Sequence, residues 1–153
     1  MLSNNFNPYF IPSFIASLLL LGLGVFVYSN NKKSPVNITF ALECLASFIW
    51  QFAYSMMYLF FYKKEIALFF MKIGYVGVIY ICVLNYHFVI EFLGIKKERI
   101  FAYSAYIIAA VFVYLLVATY LFTNGVIKYF WGYYPAASTL HPVFLVFFMG
   151  LTS

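Results

Sequence analysis

The chain has 153 residues, of which 66% are hydrophobic, 24% aromatic and only 8% charged, with a formal net charge of +5. A water-soluble domain carries about a quarter charged residues, so this composition cannot cover a water-facing surface and lipid must be the solvent. The Lys and Arg residues sit in short clusters between apolar runs, which is the pattern of membrane-protein loops and excludes a nucleic-acid-binding stripe.

A helix rises about 1.5 Å per residue and the hydrocarbon core is about 30 Å thick, so a span needs about 20 apolar residues. Four segments meet that length. Residues 10–28 carry no charge; residues 38–62 are interrupted by Glu43 and Gln51; residues 65–93 by Lys72, Asn85, His87 and Glu91; residues 100–122 are uncharged. A fifth run, residues 141–153, begins at His141–Pro142 and is about half the length of a span. The reading is therefore an all-α fold: a polytopic transmembrane helix bundle with four full spans plus the start of a fifth, forming one partial domain over 1–153. It also predicts that the chain is cut inside that fifth helix, because an end lodged at bilayer depth strands backbone carbonyls. A β-barrel is excluded, since its strands would be short alternating runs.

The connections are short. SNNKKSPVN (29–37) holds turn formers and a Pro suited to a helix start. Lys63–Lys64 makes a tight join, so the second and third helices should form an antiparallel hairpin. GIKKER (94–99) places Gly94 as a helix C-cap. VIKYFWGYYPAASTL (126–140) reads as an aromatic loop. The first run is not a cleaved signal peptide: no basic residue precedes it and Lys32–Lys33 follow it. The first and third loops hold five Lys and Arg residues, against three in the second and fourth. That bias predicts the first and third loops inside, the N-terminus outside and the aromatic loop at the outer headgroups.

Ionisable groups inside spans mark candidate sites. His87 and Glu91 are one turn apart on the third helix. Glu43 and His87 lie at matching depths, about 7–9 Å from the inner helix ends, which predicts a Glu43–His87 pair with Glu91 nearer the headgroups. The cluster Glu43, His87 and Glu91 is either a protonatable relay or an interhelical hydrogen bond that holds two helices together. Lys72 lies about 10 Å from the outer end. It either snorkels or faces an outward cavity, where Lys72, Trp131, Tyr133 and Tyr134 would form an input surface for a small ligand of unknown identity. Cys44 and Cys82 lie in apolar runs and suit small buried hydrophobes. Too few ligands cluster to predict a metal, and no cofactor is predicted. The chain has no Asp, and it lacks nucleophile-elbow, phosphate-loop, zinc-protease and kinase motifs, so enzyme chemistry is not expected in these residues.

The segments NPYFIPSFIASLLLLGLGVFVY (7–28), SPVNITFALECLASFIWQFAYSMMY (34–58), EIALFFMKIGYVGVIY (65–80), YHFVIEFLG (86–94) and WGYYPAASTLHPVF (131–144) occur in an order that resembles the N-terminal seven-transmembrane region of bacterial sensor histidine kinases, found also on some diguanylate cyclases. Asn37 with Phe40, Trp50, the Phe69–Lys72–Tyr75–Gly77 pattern and Gly132–Tyr133 carry the resemblance. The chain departs from it in lacking a Pro after the Tyr-x-Gly of the third helix, and in having Ser138 where Gly is frequent. The resemblance implies a sensory input module in a bacterial cytoplasmic membrane, with an outside N-terminus and cytoplasmic output, the sixth and seventh helices and the output domain lying beyond this chain. A homodimer through those missing regions is the partner it suggests, beside the bilayer itself. The rival reading is a fragment of a transporter or channel, whose repeats and broken helices are not evident here.

Overall fold

A computed structural model of the chain describes residues 7–152. Five helices and one hairpin follow in order: α1 (Phe10–Asn30), α2 (Pro35–Leu59), α3 (Lys64–Leu93), α4 (Arg99–Ala118), β1 (Thr123–Tyr129), β2 (Gly132–Ala137) and α5 (His141–Thr152). The first four helices are long and apolar enough to cross a membrane, and α5 is a shorter apolar helix.

Local chemistry sets the helix ends. Ser34 is the N-cap of α2, its hydroxyl accepting from the Asn37 amide at 3.5 Å, and Pro35 occupies the first helical position. This starts α2 three residues before the sequence-predicted residue 38. Gly94 ends α3 with φ +70°. Its amide bonds to the Glu91 carbonyl at 3.3 Å, and the Ile95 amide to that of Ile90 at 2.9 Å, a Schellman closure that absorbs two orphan carbonyls. The three-residue 3₁₀ turn Lys96–Glu98 then leads into α4.

Helix α4 stops at Ala118, four residues short of the predicted end at 122. The Thr119 hydroxyl donates to the Leu115 carbonyl at 2.6 Å and accepts from the Leu121 amide at 3.2 Å, which closes the helix. The chain then turns inward and buries Phe122 completely. Beyond Phe122 the fold departs from the sequence expectation. The stretch read as an aromatic loop is an antiparallel hairpin, paired Val126↔Pro135, Ile127↔Tyr134, Lys128↔Tyr133 and Tyr129↔Gly132. Gly125, at φ +101°, sits where the register slips between Thr123 and Val126. An isolated two-stranded hairpin is marginal in water. Here it rests on helix ends: a Cβ on Gly132 would lie 3.0 Å from the Tyr58 ring, so only glycine lets the strand seat there.

The spans alternate in direction. Helices α1, α2 and α3 pack closely through small residues. A Cβ on Gly77 would lie 2.6 Å from the Ala46 carbonyl oxygen, and one on Gly24 2.9 Å from the Cys44 Cβ. Helix α3 is the hub, touching α2, α4, α5 and the hairpin, whereas α1 is peripheral and largely exposed to the apolar surroundings. The core gathers on the far side of α3, where Met71, Tyr75, Ile79 and Val83 meet Ala105, Phe112, Leu116, Phe122 and Phe144.

Candidate functional site

In lipid, apolar packing is weakly directional and polar side chains fix which helix meets which. The polar contacts of this bundle therefore outline the site. They fall at two levels, one toward the end that carries the hairpin and one toward the opposite end.

At the end opposite the hairpin the sequence predicted a Glu43–His87 pair, and the structure corrects it. Glu43 accepts from the Asn85 side-chain amide at 3.0 Å, across α2 and α3. Depth was matched and angle was not: two residues along a helix is a rotation of about 200°, so Asn85 and His87 face opposite ways. His87 turns instead toward α4. Its Nδ1 lies 3.1 Å from the Tyr106 hydroxyl and its Nε2 3.5 Å from the Glu91 carboxylate. Glu91 takes a two-pronged bond from Arg99, at 2.6 and 2.7 Å. The predicted cluster is thus split in two. Glu43–Asn85 fastens α2 to α3, and the chain Tyr106–His87–Glu91–Arg99 fastens α3 to α4. The Glu91 side chain is only 7% exposed, and the fork of Arg99 supplies the paired donors that a buried carboxylate needs. Beside it the Tyr86 hydroxyl donates to Glu98 at 2.9 Å. Asn85, Tyr86, Glu98 and Leu151 line a cavity of about 340 Å³. Among the described residues, no group of three or more His, Cys, Asp or Glu side chains is placed to hold a metal.

At the hairpin end, Lys72 reaches the Val117 carbonyl at 3.3 Å. That oxygen is one of the four orphans at the C-terminus of α4, so the ammonium both satisfies it and complements the helix dipole. The Tyr75 hydroxyl lies 3.2 Å from His141 Nε2 and ties α3 to the start of α5. The predicted input surface also divides. Trp131 and Tyr134 contact each other edge-to-face at 5.8 Å, whereas Tyr133 is buried, with the Lys128 ammonium 5.9 Å from its ring centre. The carbonyl that Lys72 reaches is on α4.

Sequence reasoning passed over Asn7. Its side-chain amide donates to the carbonyls of Tyr58, at 3.0 Å, and Trp131, at 2.8 Å, while its oxygen accepts from the Tyr9 amide at 3.1 Å. One buried residue therefore pins the start of α1, the end of α2 and the hairpin turn together. The only sequence signal was an Asn followed by Pro8, a turn-forming pair.

One comparison bears on this arrangement. The model of the N-terminal 7TM region of histidine kinase matches residues 12–152. The chain belongs to that family. The histidine-kinase 7TM region is a non-catalytic, membrane-embedded sensory module, and the spans described above fit a multi-pass membrane protein. No curated protein and no solved structure matches the chain.

Five of the residues that carried the resemblance are fasteners of the fold. Asn37 donates to the Val27 carbonyl at 2.9 Å and so caps the end of α1. Phe40 meets Phe88 across α2 and α3 with ring centres 5.3 Å apart. Gly77 admits the backbone of Ala46 and Trp50, Lys72 caps α4, and Tyr75 holds α5.

Proposed function

We propose that the chain is the signal-receiving region of a bacterial sensor histidine kinase in the cytoplasmic membrane, with its N-terminus and hairpin outside. A stimulus at the hairpin end shifts α4 and α5 against a fixed block of α1, α2 and α3, and the Tyr106–His87–Glu91–Arg99 chain carries that shift to the cytoplasmic side.

One observation supports this reading above the others: the joint of α3 with α4 and α5 is narrow and is held by discrete side-chain contacts. Helices α1, α2 and α3 are locked by glycine-mediated backbone approach, with Glu43–Asn85 as the side-chain hydrogen bond between α2 and α3. Helices α4 and α5 meet α3 over smaller surfaces, and four side-chain contacts bridge them: Lys72 to Val117, Tyr75 to His141, His87 to Tyr106 and Glu91 to Arg99. Discrete hydrogen bonds along a thin interface are what a two-position switch needs, because each is either made or broken. A stimulus moves such a switch only by binding its two positions unequally.

Two measurements test the proposal. In intact cells, a membrane-impermeant maleimide should label Lys128→Cys, and should reach Lys32→Cys and Lys97→Cys only after permeabilisation. In the full gene product, Glu91→Gln and His87→Phe should each change kinase output at constant protein level. Labelling of Lys32→Cys from outside would overturn the orientation. Unchanged output in both variants would remove the relay.

A further inference from the structure

Four aromatic rings at the hairpin end form a closed circuit. Tyr54 and Tyr58 on α2 have ring centres 6.4 Å apart and planes at 83°. Tyr58 meets Trp131 at 5.7 Å and 80°. Trp131 meets Tyr134 at 5.8 Å and 77°, and Tyr134 returns to Tyr54 at 6.3 Å and 77°. Every side is a near-perpendicular, edge-to-face type of contact. With sides of that length the middle of the circuit lies roughly 4–5 Å from each ring centre, inside the ~6 Å over which an aromatic face attracts a cation.

The box is also pre-set. Asn7 holds the backbone carbonyls of two of its members, Tyr58 and Trp131, from a single side-chain amide. Tyr129 stacks flat on Trp131 at 5.1 Å and fixes the plane of the indole. Tyr134 is 47% exposed, so one wall is open to the surroundings. Two lysines that do lie over aromatic rings use other rings: Lys63 sits over Tyr62 and Lys128 over Tyr133.

We infer that Tyr54, Tyr58, Trp131 and Tyr134 form an aromatic box that binds a quaternary ammonium group. Of the four carboxylates, Glu43, Glu91 and Glu98 are engaged at the opposite end of the bundle, with Asn85, Arg99 and Tyr86, and Glu65, in the first turn of α3 beside Lys63 and Lys64, is on none of the elements that make the box, which matters for the choice of cation. A primary ammonium is strongly hydrated and asks for three acceptors on entering a site, whereas a tetra-alkylated nitrogen has no N–H to satisfy and is weakly hydrated. An aromatic box without an acid selects the second kind. The source is either a free quaternary amine or the headgroup of a choline lipid, since the box lies where α2 ends. The inference deepens the input reading above by naming its ligand class, and it is measured as binding, apart from signalling.

The test uses the whole chain in nanodiscs of phosphatidylethanolamine and phosphatidylglycerol. Radiolabelled choline should bind saturably, and tetramethylammonium should compete. The neutral isostere 3,3-dimethylbutan-1-ol should not compete, because it has the same shape without the charge. Tyr134→Leu should weaken binding by about 5- to 30-fold, the range for losing one ring from such a site, and Tyr134→Phe should retain it. Tyr134 is on the open wall, and an unchanged far-ultraviolet circular dichroism spectrum shows that the variant is folded. In discs containing phosphatidylcholine, loss of choline binding identifies the lipid headgroup as the occupant, and unchanged binding identifies the free amine. Competition by the neutral isostere equal to that of tetramethylammonium, or no choline binding in either lipid, overturns the inference. Binding without any change in kinase output leaves the box standing and removes the input reading.

Discussion

The sharpest mechanical consequence concerns Gly77. An added Cβ would lie 2.6 Å from the Ala46 carbonyl oxygen and 2.8 Å from the Trp50 amide nitrogen, both backbone atoms that cannot rotate away. Restoring ordinary contact in Gly77→Ala requires α2 and α3 to part by somewhat less than 1 Å. A gap of 0.5–1 Å forfeits about a quarter to a half of a dispersion well of ~0.1–0.2 kcal/mol per atom pair. Over on the order of forty atom pairs this comes to about 2 kcal/mol, within the usual range for overpacking. The gain in helix propensity from Gly to Ala offsets about 1 kcal/mol of it. Gly22 is the internal control, since nothing lies within 4 Å of a Cβ there. Gly22→Ala should therefore be neutral or up to about 1 kcal/mol stabilising. The readable quantity is the difference of about 2 kcal/mol between the two variants, measured by reversible unfolding in mixed detergent micelles. If Gly77→Ala is as stable as Gly22→Ala, the helices are not in backbone contact and the fixed block does not exist.

Single residues give further expected outcomes. Asn7→Ala removes three hydrogen bonds and should cost about 1–3 kcal/mol, with faster amide exchange at the hairpin turn than in α3. Glu43→Gln keeps an acceptor for Asn85 and removes an acid at bilayer depth, so stability should hold within about 0.5 kcal/mol or rise; Glu43→Leu orphans the amide and should cost about 1–2 kcal/mol. Lys72→Met leaves the Val117 carbonyl without its donor and should lower thermal stability by about 1 kcal/mol, while Lys72→Arg restores it.

The parts of the fold that come from length and hydrophobicity were legible in the sequence. Runs such as 10–28 span because nothing else can be done with so many apolar residues, and Gly94 ends α3 because only a left-handed residue closes that turn. The hairpin was hidden by its own composition. A run such as VIKYFWGYY satisfies a headgroup belt and a pair of strands equally well, and the choice is made by contacts distant in sequence, with Tyr54, Tyr58 and Asn7. The candidate site was half legible for a similar reason. Counting residues from a helix end gives depth, so Glu43 was correctly placed level with the 85–87 stretch. It does not give azimuth, and azimuth decided that Asn85 and not His87 would be its partner. Arg99 was counted as a loop charge, and its fork onto Glu91 depends on how the 94–98 turn folds back.

The energies at the joint and at the box have to be of similar size for one to govern the other. Interhelical hydrogen bonds in membranes average about 0.6 kcal/mol, so at that average the four contacts Lys72–Val117, Tyr75–His141, His87–Tyr106 and Glu91–Arg99 together supply roughly 2.4 kcal/mol. A quaternary ammonium ion shared by four rings gathers on the order of 2–4 kcal/mol. The hairpin joins the two regions, because its rings press on α2 while its ends continue into α4 and α5. A ligand that draws the hairpin onto α2 therefore acts with enough energy to break or make the joint, but not the ~5.5 kcal/mol that would drive it from 1:99 to 99:1. On the proposed input reading, the sensor rests near balance and is sensitive to the loss of a single fastener. Tyr75→Phe deletes one hydroxyl and leaves the ring packed against Phe122. It should move basal kinase output of the full gene product about threefold, the equivalent of ~0.6 kcal/mol, while leaving choline binding at the box close to its original strength. A Tyr75→Phe receptor whose output matches the parent at every choline concentration would show that the joint does not set the balance.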